Sequence, residues 1–143
     1  MNRRSVLLLP AVLAAALLWA PQQSAAGAGP APREESAPPA DFALAGDAKR
    51  GAGLFRDHCA TCHGAGGRGD GLLAGHLDPP PGDLTRRERM DSRSDWHLYR
   101  VIRDGGRAMK LSPVMPAFGE RLTDQELHDL TVFTRALSTR PPT

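Results

Sequence analysis

Cys59-Ala60-Thr61-Cys62-His63 is the stretch on which the fold turns. It holds both of the 2 cysteines in the chain, and a histidine follows the second at once. A disulfide across so short a gap would remove little entropy from the unfolded chain, and such a staple has no use for the histidine. The order C-x-x-C-H matches covalent attachment of a c-type haem. Two thiols on one turn can add across the two vinyl groups of a haem edge, and the next residue then carries an imidazole toward the iron. A thioredoxin-like dithiol also uses C-x-x-C but expects a βαβ context, and no period-2 strand pattern is evident here. A zinc site needs further ligands at metal spacing, whereas His58, His76, His97 and His128 are scattered without a second cluster.

Outward from this turn, a length of 143 residues is about one domain. With 15 Gly, 13 Pro and 5% aromatic residues, the chain is poor material for a large side-chain core. A bulky ligand is expected to fill part of it. The segment from Gly64 to Asp91, with its run of glycines and Pro79-Pro80-Pro81, points the same way, because so long a loop in a small domain is expected to wrap something. Gly64-Ala65-Gly66-Gly67-Arg68-Gly69 satisfies G-x-G-x-x-G, yet it follows the Cys-His turn instead of a strand, so it reads as a loop past the ligand edge and not as a nucleotide site.

The beginning of the chain reads as a secretory signal over residues 1–26: Arg3 and Arg4, then an apolar run from Val6 to Ala20, then Ser24-Ala25-Ala26 as a small-residue cleavage site. The run is shorter than the ~20 residues that span a bilayer; an uncleaved anchor is the competing reading. Residues 27–41 form a Pro/Ala-rich tether, and residues 42–143 the folded domain. Loss of Arg3 and Arg4 with the signal cancels the formal +2, so the remainder is neutral. A neutral chain lacks the basic excess of a nucleic-acid binder. Charge is nevertheless uneven: between Leu84 and Lys110 eight basic residues stand against four acidic ones. That excess suits either steering of a redox partner or a solvated helix face.

Three helices are expected. The first is capped by Asp47 and runs through Gly51 and Phe55 to Cys59; its glycines cost about 1 kcal/mol each relative to Ala, which predicts a close neighbour at Gly51. The second starts at a Ser92 cap, presents Leu98, Val101 and Ile102, and ends at Gly105-Gly106. The third has Thr123 and Glu126 as a capping box and Leu127, Leu130, Phe133 and Leu137 as its apolar stripe.

Taken with the glycine-rich Gly66-Gly67-Arg68-Gly69-Asp70-Gly71, the run Pro79-Pro80-Pro81-Gly82-Asp83-Leu84-Thr85, and Met115-Pro116-Ala117-Phe118-Gly119 before a capped last helix, the chain resembles class I c-type cytochromes of the small bacterial monohaem kind, over most of Asp47 to Leu137. The resemblance implies an all-α fold of three to five helices around one covalently bound haem c, with the first and last helices crossing and Gly51 and Phe55 facing Leu130 and Phe133. It implies attachment through Cys59 and Cys62 and axial iron ligands His63 and a methionine. Met115, stiffened by Pro113 and Pro116, is the expected sixth ligand; Met109 is the rival, and Met90, in a charged segment, is expected at the surface. By the same analogy a backbone carbonyl within Pro79 to Pro81 accepts the His63 ring hydrogen, and Arg68, Trp96 and Tyr99 are candidates for the haem propionates.

The function so implied is that of an exported or periplasmic electron carrier. It passes single electrons between protein donor and acceptor by outer-sphere transfer through an exposed haem edge, and it is read as monomeric. No general base, nucleophile or substrate pocket stands out beyond the haem turn, so an enzyme is not expected. Two alternatives stay open: a fixed haem subunit of a membrane-associated dehydrogenase, oxidase or reductase, and a haem sensor or peroxidase-like protein whose methionine dissociates. Membrane contact is expected only through a partner complex or an uncleaved signal.

Overall fold

The computed structural model describes residues 37–139. The signal over 1–26 and most of the tether lie outside the described residues. Five α-helices and a three-residue 3-10 turn make up the described part, with no strand among those residues: α1 (Ala48–His58), α2 (Ala60–His63), the 3-10 turn (Ala74–His76), α3 (Arg87–Asp91), α4 (Asp95–Ala108) and α5 (Asp124–Leu137).

Helices α1 and α5 form the frame. The Asp47 side chain caps α1 by accepting from the Lys49 and Arg50 amides, and Thr123 with Glu126 closes the expected capping box on α5. The two helices touch backbone to side chain at Gly51, where a Cβ would come within 2.1 Å of the Asp129 carbonyl oxygen and 2.8 Å of the Phe133 Cβ. One turn on, the Phe55 and Phe133 rings pack at 5.2 Å. Gly53 meets nothing within 4 Å, so only Gly51 carries the close approach. An ion pair sits in the same seam. Asp129, 1% exposed, accepts from Arg50 Nε at 2.7 Å and Nη2 at 3.0 Å, from the Asp47 amide at 2.6 Å and from Gln125 at 3.1 Å. Four donors to one carboxylate hold its pKa down to about 2, with the Arg50 bond the largest cause.

Helix α4 packs on α5 and brings Trp96, Tyr99 and Ile102 into the core with Phe118, Leu130 and Phe133. Phe42, at the head of the expected domain, packs its ring on Trp96 at 4.7 Å and Tyr99 at 5.4 Å. Two details of α4 differ from expectation. Its cap is Ser94, whose oxygen accepts from the His97 amide at 3.0 Å. Ser92 instead closes α3, donating from its hydroxyl to the Arg89 carbonyl. Gly105, at φ 77°, breaks α4 where the sequence placed the end, but a further turn continues to Ala108. The long Gly64–Asp91 loop is also more ordered than its composition suggests, since it contains the 3-10 turn and α3.

Candidate functional site

Cys59 sits at the joint between α1 and α2, accepting at its carbonyl from the Cys62 and His63 amides. Cys62 and His63 fill the last turn of α2, and Gly64, at φ 76°, ends it. The glycine-rich loop then folds back over this turn. The Gly69 amide donates to the His63 carbonyl at 2.8 Å, Gly71 to Cys62 at 3.2 Å and Leu73 to Thr61 at 3.0 Å. Only a glycine fits at 71, where a Cβ would stand 2.4 Å from the Thr61 oxygen. The loop is therefore a backbone brace for the Cys-His turn.

Facing it is the segment that carries Met115. The Gly106 amide donates to the Met115 carbonyl at 3.1 Å, and the Phe118 and Gly119 amides donate to the Ile102 and Arg103 carbonyls. A Cβ on Gly106 would come within 2.0 Å of the Ser112 oxygen. The paired glycines thus let the methionine loop lie directly on the end of α4, a role beyond stopping the helix.

Between this brace and the methionine loop lies a cavity of about 640 Å³ whose wall includes Cys59, Cys62, His63 and Met115. That is roughly four times the ~150 Å³ that accepts a benzene in an engineered core. The structure therefore brings together all four residues singled out from the sequence. Met109 is not on this wall. Met90 is, at 1% exposed, which corrects its placement at the surface; the one-turn helix α3 rolls it inward while Glu88 and Asp91 stay exposed. Arg68, Trp96 and Tyr99 do not line the cavity. Its cations are Arg89, Arg93 and Lys110, and no carboxylate lines it. Trp96 and Tyr99 belong to the core instead, with the Tyr99 hydroxyl donating to Asp124.

The donor set fits a haem. Among the described residues one buried side-chain polar atom lacks a hydrogen-bond partner, Nδ1 of His63. Burial pushes the His63 pKa below its ordinary value, with the Gly82 backbone opposing, so at neutral pH the ring is uncharged and has a lone pair to give. The Pro81 carbonyl approaches Gly69, 2.4 Å from where a Cβ would be. Both cysteines are free, and burial pushes the Cys59 thiol up to about 12. A redox dithiol needs the opposite shift. Among the described residues no three His, Cys, Asp or Glu side chains group to hold a metal ion.

A family model described as cytochrome c oxidase, cbb3-type, subunit III matches residues 46–133. The chain belongs to that family of class I c-type cytochromes. The cofactor of this cytochrome is accordingly a covalently bound haem c. It is 31% identical over 99 residues to the cbb3-type cytochrome c oxidase subunit FixP of Rhizobium etli, covering 69% of this chain and 30% of that one. The FixP subunit of Azorhizobium caulinodans is 32% identical over 90 residues, covering 63% and 27%. The cytochrome bc1 complex cytochrome c subunit of Corynebacterium efficiens is 29% identical over 96 residues, covering 66% and 27%. The cytochrome spans less than a third of the length of these relatives. No helix among its described residues is long and apolar enough to cross a membrane.

Proposed function

We propose that this cytochrome passes single electrons to or from a respiratory complex outside the cytoplasm, with haem c attached through Cys59 and Cys62 and ligated by His63 and Met115. The observation that carries the reading is a cavity whose wall combines two thiols, a neutral imidazole and a thioether. When bound, a haem c supplies a one-electron iron couple, and His/Met ligation raises its potential.

The protein's part is positioning and exclusion. The bond from the Gly69 amide to the His63 carbonyl fixes the backbone that carries the imidazole, and the Gly106 bond does the same for Met115. Phe55, Leu98, Ile102 and Phe118 supply an apolar wall, which would keep water from the iron of a bound haem and favour a higher potential. Arg89, Arg93 and Lys110, on the same wall, would offset the negative charge of a bound haem's propionates.

Of the two ways to serve, the names of the relatives support a complex-bound haem domain over a freely diffusing shuttle. Fractionation separates them: co-purification with a large membrane complex is expected, and recovery solely from the soluble periplasmic extract would move the reading to the shuttle. The electron-transfer chemistry is tested by potentiometry on the exported protein. A single reversible wave fitting one electron is expected. Rapid binding of carbon monoxide by the reduced protein at neutral pH would instead favour a sensor with a labile methionine.

A further inference from the structure

Helix α3 is a single turn, Arg87–Asp91, and a helix that short does not persist on its own propensity. Yet it and the residues just after it set one side of the cavity, through Arg89, Met90 and Arg93. Besides its local bonds, the turn is tied to the far end of α5. Arg135 donates from Nη1 to the Met90 carbonyl at 2.7 Å, from Nη2 to the Arg93 carbonyl at 2.5 Å and from Nε to Asp95 Oδ1 at 2.7 Å. Carbonyls at a helix C-terminus lack partners within the helix, and a cation there is favourable. The Arg135 side chain is 24% exposed, and its three bonds are part-buried.

We propose that Arg135 is a positioning residue for the haem pocket. By fixing the backbone of Met90 and Arg93 it determines where a thioether and a guanidinium stand on the pocket wall. The inference rests on the reading that the cavity takes the haem. Its consequence has a definite sign. Slackening the clamp admits water and lets the Arg93 charge drift away, and both changes favour the ferric over the ferrous state. The potential therefore falls. A lysine keeps the charge, but its single nitrogen cannot serve three divergent acceptors as a planar fork does.

The test uses the full chain loaded with haem. Covalent haem in the wild-type protein is measured first, and its absence would remove the pocket reading and this role with it. Potentials are then compared for wild type, Arg135→Lys, Arg135→Gln and a control, Thr123→Ala, which removes the cap at the opposite end of α5. At the wild-type midpoint the ferric-to-ferrous ratio is expected to rise at least about threefold in either Arg135 variant, or ~30 mV at 59 mV per tenfold. The control should melt earlier at an unchanged potential. Arg135 variants that carry covalent haem at the wild-type potential would overturn the role alone. Loss of haem from both with helicity retained is the extreme form of the same displacement, whereas joint loss of haem and helicity overturns positioning in favour of a plain fold role.

Discussion

His63 and Met115 reach the cavity from segments that are each pinned by backbone hydrogen bonds and opened by glycine. On the proposed ligation their substitutions differ in kind. His63→Ala, or loss of either cysteine, is expected to leave the chain without stable haem, as a heme-stained gel of the exported protein would show. Met115→Ala is expected to keep the haem covalently, lose the weak far-red band of the ferric form, lower the potential and bind carbon monoxide when reduced. An unchanged spectrum and potential would put the sixth ligand elsewhere, and Met90, on the same wall, would be examined first. The Cys-His turn was legible in the sequence because both thiols and the imidazole fall within five adjacent residues. Met90 was not, because its neighbours Arg89 and Asp91 disguise a buried position that only the roll of α3 creates.

The seam between α1 and α5 sets the stability of the frame. Gly51→Ala places a methyl against a carbonyl oxygen that belongs to the opposing backbone. The helices must part, at a cost in the range of about 1–3 kcal/mol for overpacking, measurable as a lower urea midpoint. Gly53→Ala, in open space, is expected to be neutral or stabilising by up to ~1 kcal/mol. Asp129 gives the seam a pH dependence. Its carboxyl is held at about 2 against an ordinary 3.8, so its stabilisation is complete above about pH 4 and is lost as pH falls through about 2. Asp129→Asn should therefore be less stable than wild type at pH 7, by about 2 kcal/mol, and the gap should close at pH 2. A gap that persists in acid would assign the effect to packing. The capped ends of α1 and α5 and the need for a neighbour at Gly51 could all be read from residue types, since caps and glycines act locally. The start of α4 could not: Ser92 and Ser94 both suit a cap, and the Arg135 bonds that fix residues 90–95 come from 40 or more residues away.

Across the whole molecule, six of the eight basic residues between Leu84 and Lys110 fall into two sets. Arg87 pairs with Asp91, and Arg100 and Arg103 with Asp104, so these are partly neutralised within the chain. Arg89, Arg93 and Lys110 line the cavity instead. Neither the summed neutrality nor the local excess reveals that division, which depends on which arginines find carboxylates one to four residues away. The most direct measurement of the central claim is the absorption spectrum of the exported protein, ferric and ferrous, taken with acid-acetone extraction. A low-spin haem that stays with the chain through extraction, with the far-red band in its ferric form, is the expected result. A haem that is extracted, or a chain that takes up none, would contradict attachment at Cys59 and Cys62.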